Sequence, residues 1–381
     1  MSRVPVSVFY DQEATARAYE ADALSGQTSK EQITFITRNY ARNSEDRFDT
    51  FWEPTGSGLK WAPPEGCEKY QQVDIPTNKR LVILDLDPAI DYLLTAAGTV
   101  EGQVDIRGGR NIVWIGGHIQ MEGFSPNATG QQRRALVISD AGGERTGRVV
   151  HIEGVLCDGD DLAEGVNTDC PSAIVQLVNN RVELVKIKSA DDRDNRGNHA
   201  DLLQPWGSQL EMRVDMFTGR SNYQGFYLRE AFNAVLGSYH LSRINVEGIE
   251  TTTAINNGGD GLPYANVRFF RSDDLAEVGP WILDGDTVWV KGHPNGFGAG
   301  ELAEIVYPPP TLVARDGLGE YVEWPGVTLT DGRPFAVGRI RDGVPPTGDY
   351  VPAGVAGIGY VSPGYQSVGM TWRDIGSLVL E

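Results

Sequence analysis

The chain has 381 residues, room for two to three average domains, and its 40% apolar and 22% charged content is that of an ordinary globular protein. Lys and Arg number 33 against 52 Asp and Glu, a formal charge of −19, which argues against nucleic acid or an anionic membrane surface as a partner. No run approaches the ~18 apolar residues of a membrane span, and the first twenty residues carry no apolar core of a secretory signal, so neither insertion nor export is expected.

Residues 11–45 are the best helical stretch: DQEATARAYEADAL is rich in Ala and Glu and free of Gly and Pro, Gly26 stops this first helix, and TSKEQITFITRNYARN reads as a second helix or a strand. The segment PTGSGLKWAPPEG (54–66) has loop chemistry. Residues 1–79 therefore read as a partly helical N-terminal attachment segment. From Leu81 the character changes to a train of short strands broken by Gly, Asn and Asp, which continues to about residue 275. Beyond it Gly and Pro crowd the chain, with 11 of the 21 prolines in 280–381, so residues 279–381 read as a separate β-rich domain. The three cysteines, Cys67, Cys157 and Cys170, are too few for a disulfide framework; buried thiols are the preferred reading of Cys157 and Cys170, with a pairing between them left open.

The middle region carries an internal repeat. VWI (113–115), VHI (150–152), VKI (185–187), MRV (212–214), YHL (239–241) and VRF (267–269) are centred on Trp114, His151, Lys186, Arg213, His240 and Arg268, at spacings of 37, 35, 27, 27 and 28. All twelve flanking positions are apolar, and five of the six centres are basic or His. A second family (ALVIS from 135, AIVQL from 173, ADLLQ from 200, GFYLR from 225, TAINN from 253) keeps roughly the same phase. Strand alternation turns the flanks inward and the centres outward. Short strands recurring in units of about 25 residues, stacked on their neighbours, predict a right-handed parallel β-helix over 80–278 in an all-β chain. The outward centres would then form a charged stripe in which Lys186, Arg213 and His240 could bind an acidic glycan.

IRGGRNIVWIGGHIQMEG (106–123) resembles the early coils of right-handed β-helix proteins of the pectate-lyase-like superfamily, and NHADLLQPW (198–206) resembles an H-x-D-x-x-Q pattern recurring there. The resemblance covers about 80–275. It implies the fold; polysaccharide lyases, glycoside hydrolases, phage tailspikes and inactive virion scaffolds all share that fold.

His199 and Asp201, two apart, share a strand face and are the candidate base and acid. Gln204 follows in the same pattern. Trp206, in a Pro-Trp-Gly turn, and Tyr223 are candidate sugar-stacking rings; Tyr239 flanks a repeat and reads as core. Asp158, Asp160 and Asp161 could hold Ca²⁺, but Leu162 and Ala163 break the EF-hand pattern, and no cofactor is expected. The five histidines show no zinc spacing.

These features favour a phage virion protein, spike or fibre-like, assembled in the host cytoplasm with other virion proteins and binding host surface polysaccharide. The alternative is a polysaccharide lyase or glycoside hydrolase on the same scaffold. A homotrimer is expected because Leu136, Ile138, Ile174, Phe226 and Leu228 would form an outward apolar stripe that another subunit covers.

Overall fold

The computed structural model describes residues 58–124, 128, 130–185, 201–221, 225–228, 238–248, 281–284, 286–291, 312–328 and 334–365. The expected helical stretch at 11–45 lies outside them. Among the described residues no helix is long and apolar enough to cross a membrane.

The chain is built from strands β1 (Gln71–Asp74), β2 (Leu81–Leu86), β3 (Tyr92–Thr95), β4 (Gln103–Gly108), β5 (Ile112–Gln120), β6 (Arg134–Ser139), β7 (Arg148–Asp158), β8 (Glu164–Val185), β9 (Leu203–Ser221), β10 (Ser238–Gly248), β11 (Trp281–Leu283), β12 (Val288–Lys291), β13 (Leu312–Asp316), β14 (Gly319–Thr328) and β15 (Pro334–Asp342). Two parallel ladders run through them. In the first, β2, β4, β6, the start of β8 and the start of β9 stack in register, with Val104, Leu136, Val166 and Leu203 in one row. In the second, β1, β3, β5, β7, the end of β8, the end of β9 and β10 stack, with Val113, His151, Gln176, Arg213 and His240 in one row. Successive turns of one chain feeding two parallel ladders make a parallel β-helix.

The second ladder is bent. Gly116, Gly154, Asn179, Met216 and Arg243 have φ of 71°, 65°, 54°, 53° and 47°, and the register stacks them on one another. One left-handed residue per coil, between stretches of extended backbone, turns each long strand through a corner. The residues before the corner form sheet two and those after it sheet three, while the first ladder is sheet one. β11 pairs with β10 before the corner and β12 pairs with it beyond, so the same bend recurs there.

Alternation fills the interior. Burial along β2, LVILDL, alternates strictly, with Val82, Leu84 and Leu86 inside. Trp114, Ile152, Val175, Val214 and Leu241 follow on sheet two, and Ile119, Cys157, Val182, Phe217 and Ile244 on sheet three. Phe217 and Phe226 meet edge to face at 5.0 Å. Cys157 and Cys170 are free thiols in this core, and burial pushes both thiols up from their ordinary range.

The ladders outrun the expected span at both ends. β1 begins at Gln71, and β15 pairs in parallel with β11 and β12 while β13, β14 and β15 form an antiparallel addition. The repeat also needs correcting in phase. His151 stacks on Val113, not Trp114, and the row between His151 and Arg213 is held by Gln176. Lys186 and Arg268 lie outside the described residues. AIVQL belongs to sheet two, and the sheet-one strand of that coil is EGVNTD.

The parity expected for the outward apolar stripe is reversed on sheet one and kept on sheet two, where Ala173 and Val175 lie in the core with Ile174 between them. Leu136, Ile138, Phe226 and Leu228 all face the core, and Ile174 is buried. The surface that motivated a trimer therefore does not exist as an exposed stripe. Instead, the chain covers sheets two and three with its own segments, 58–62 and 343–365. The N–H of Leu59 donates to Gly364 (2.7 Å), and Leu59 and Tyr365 form a parallel bridge.

Candidate functional site

The expected charged stripe is present on the outer face of sheet two, but it is sealed. His151, Gln176, Arg213 and His240 are 0%, 4%, 9% and 1% exposed. Trp61 lies over them, its ring edge-on to His240 at 6.4 Å and 6.0 Å from the Arg213 guanidinium. With its amide oriented to satisfy its neighbours, Gln176 donates to His151 Nδ1 (2.7 Å) and to the Ala62 carbonyl (3.1 Å) and accepts from Arg213 Nη1 (3.2 Å). His151 Nε2 then donates to Glu153 (2.9 Å), which also accepts from Tyr360 (2.8 Å) and Tyr365. Burial pushes the Glu153 carboxyl up, but the bonds from His151, Tyr365, Ser362 and Tyr360 outweigh it and hold it below its ordinary value. Burial, with Glu153 beside them, drives the hydroxyls of Tyr360 and Tyr365 up.

Further along the same flank, Arg243 pairs with Asp215 (2.5 Å), which also accepts from the Lys60 N–H (2.7 Å). Asp349 takes Arg181 and Arg220, each at 2.9 Å, and Asn245 Nδ2 at 3.0 Å. These groups spend their charge fastening 58–62 and 343–365 to the helix. Arg213 and His240 therefore line no open groove, contrary to the sequence expectation, because the pattern reports which side chains face outward and not what covers them.

Sheet one reaches solvent in patches: Leu81 and Ile83 on β2, and Asp169 with Trp206 further along, are exposed, whereas Asp105, Asn167 and Gln204 in its outward row are buried. Among the residues expected there, His199 and Tyr223 lie outside the described residues. Asp201 is fully buried and its carbonyl accepts from the Gly165 N–H (2.8 Å), so its carboxylate is not a surface acid. Gln204, stacked on Asn167, is 1% exposed and is likewise no surface ligand. Trp206 is the residue that reaches solvent, at 43% exposure. Its position comes from a bulge: Thr168 pairs with Pro205 and Asp169 with Ser208, so Trp206 and Gly207 are extra residues pushed out of the ladder. Gly207 is required there, since a Cβ would sit 1.7 Å from Asp169 Oδ1.

Asp169 completes this surface. It is exposed beside the bulge, and partial burial together with the neighbouring Asp140 raises its carboxyl above the ordinary value. Asp140 is occupied: it accepts from Arg148 (2.7 Å), the Ser172 N–H (3.0 Å) and the Ser172 hydroxyl (2.9 Å). Neither aspartate was a candidate from sequence. The alternation V-x-T at 166–168 was the available signal, diluted by the polar Asn167 and Thr168. At the opposite edge of sheet one a cleft of about 460 Å³ is lined by Arg80, Leu81, Gln103, Phe124 and Gln132, with the Arg80 guanidinium 4.9 Å from the Phe124 ring.

The expected calcium loop is committed elsewhere. Asp158 accepts from His118 Nε2 (2.7 Å) and Asp161 from the Phe124 N–H (2.9 Å). Among the described residues no three His, Cys, Asp or Glu side chains converge on a point that could hold a metal. Tyr227 and Tyr239 are buried. No family model, no curated protein and no solved structure matches the chain.

Proposed function

We propose that the outer face of sheet one binds a host-surface glycan, and that the chain is the glycan-binding body of a phage spike or fibre-like virion protein. The observation that carries this reading is Trp206, a large aromatic side chain presented to solvent on a bulge. An indole face suits a sugar ring because it offers apolar surface with polar groups at its rim, here Asp169. The coils stack about 4.8 Å apart, so Trp206 with Asp169 and the cleft beside Phe124 are two separated contact points that an extended chain of sugars could bridge. The test is a titration of the full chain against a panel of bacterial capsular and O-chain oligosaccharides. Trp206→Ala should weaken binding by about 1 kcal/mol or more, roughly fivefold, with unchanged melting. Equal affinity of wild type and variant would move the glycan off this face.

Asp169 favours a second reading, glycoside hydrolysis. A carboxyl raised above its ordinary value is suited to protonate a leaving oxygen. Its partner carboxylate is not evident, because Asp140 is tied to Arg148 and Ser172. Reducing-end release from the same oligosaccharides, abolished in Asp169→Asn, would establish this reading over simple binding; release at the wild-type rate in that variant would remove it.

A further inference from the structure

Sheet three carries an arrangement that the glycan surface does not use. Thr99, His118 and Asp158 come from three successive coils: Thr99 precedes Val100, which bridges Ile119 on β5, and Asp158 ends β7, paired with Gln120. Ile119 and Cys157 point into the core, so His118 and Asp158, one position away from each, point out. His118 Nδ1 lies 3.1 Å from Thr99 Oγ1, and His118 Nε2 lies 2.7 Å from Asp158 Oδ1. The carboxylate can only accept, so Nε2 carries the proton and Nδ1 is the lone-pair nitrogen facing the hydroxyl. The hydroxyl donates to the imidazole and the imidazole to the carboxylate, which is the order a base needs to take a proton from an alcohol. The side chains of His118 and Asp158 are 17% and 29% exposed, and Thr99 is half-buried, so the group lies at the surface of sheet three.

We propose that Thr99, His118 and Asp158 form a hydroxyl–imidazole–carboxylate relay that cleaves a neutral carboxylic ester by acyl transfer to Thr99 Oγ1. Thr99 Oγ1 attacks the ester carbonyl carbon and forms the new C–O bond while His118 Nδ1 takes the hydroxyl proton. The tetrahedral intermediate collapses with cleavage of the bond to the alkoxy group, and His118 returns the proton to the departing alcohol. Water, deprotonated by the same nitrogen, then releases the acid and restores Thr99. A neutral ester suits the site better than a phosphate ester. Among the described residues no Lys or Arg pairs with Asp158, and the chain carries a net −19, so an anionic substrate would be repelled.

The experiment is hydrolysis of p-nitrophenyl acetate by the full chain, with a fluorophosphonate label located by peptide mass spectrometry. Wild type should exceed the buffer rate and carry the label on Thr99. His118→Ala and Thr99→Val should lower kcat by about 10²-fold or more, in the range that a positioned base supplies. Thr99→Ser should retain turnover, which separates loss of the hydroxyl from loss of fold. Asp158 acts through His118 as a positioning residue. Asp158→Asn would present an N–H to Nε2, favour the other tautomer, and lower kcat with KM and melting unchanged. A rate equal to buffer, a label elsewhere, or full activity in Thr99→Val would overturn the proposal, and none of these results bears on glycan binding at Trp206.

Discussion

Replacing Gly154 by alanine should break one fastening of the C-terminal segment while leaving the β-helix itself intact. Gly154 stands at a left-handed corner, φ 65°, and a Cβ there would lie 2.2–2.5 Å from atoms of the Tyr360 ring. The corner conformation alone is tolerable, since Asn179, Met216 and Arg243 adopt it on neighbouring rungs; for alanine it costs about 1–2 kcal/mol. The larger effect is expulsion of the ring. Tyr360 would lose its hydrogen bond to buried Glu153 (2.8 Å), worth about 1.5–3 kcal/mol, and that from Asn179 (2.9 Å), worth about 0.5–1.5 kcal/mol. Together these give a destabilisation of roughly 3–6.5 kcal/mol. The decisive measurement is a double-mutant cycle by urea unfolding with Tyr360→Ala. In that background the clash is gone and Gly154→Ala should cost only its corner strain of ~1–2 kcal/mol, a coupling of about 2–4.5 kcal/mol. Equal cost in both backgrounds would show that the tyrosine does not rest on the glycine. Gly116→Ala is the control, because its Cβ would come no closer to any neighbour than 3.3 Å, from the Tyr360 Cβ.

Val175→Asp would bury an unpaired charge at a fully enclosed position and should cost more than about 4 kcal/mol, read as loss of soluble folded chain on expression; near-normal melting would show that Val175 does not face the interior. Arg243→Ala would strand Asp215, itself 0% exposed, beside the Lys60 N–H and should destabilise by about 3–5 kcal/mol in urea, with a loss below 1 kcal/mol contradicting the assignment of that pair. Acidification should loosen residues 343–365 before the coils. Arg181 and Arg220 overcome burial to hold the Asp349 carboxyl below its ordinary value, as the hydrogen bonds do for Glu153. A carboxyl depressed in the folded state contributes stability that is complete above the unfolded value of about 4 and is lost as pH falls through the folded one. Amide protection factors across 343–365 should therefore fall below about pH 4 while those of sheet-one strands persist; parallel loss of both would deny the segment its separate fastening.

The sequence made the ladder legible wherever inward residues were uniformly apolar. Met212, Val214, Tyr239 and Leu241 flank Arg213 and His240 as the pattern required, and those rungs stack as expected. Phase failed at VWI, where Ile112 extends the apolar run and no alternation identifies the outward residue. It failed again at EGVNTD, where one inward position is Thr168 and polar composition mimics a loop. On the sheet-one face Trp206 was recognisable from its Pro-Trp-Gly setting, yet its neighbour Asp169 was not, since the bulge that joins them depends on pairing between coils. The cover over sheet two was beyond reach for a related reason. Residues 58–62 and 343–365 have loop composition, and nothing local to them specifies the ladder they rest on.

The bridge between Leu59 and Tyr365 joins positions separated by nearly the whole described chain. Coils of the β-helix can assemble on the coil before them as the polypeptide is made, but this closure must await the last of the described residues. Until then Glu153 lacks its two tyrosines, Arg181 and Arg220 lack Asp349, and the polar face of sheet two stands open to water. A nascent or prematurely terminated chain would thus expose a charged, partly apolar flank that the finished molecule hides. Synthesis of the final fastening distinguishes complete molecules from incomplete ones, and a protease or chaperone that reads this flank would act on the unfinished chain and spare the finished one.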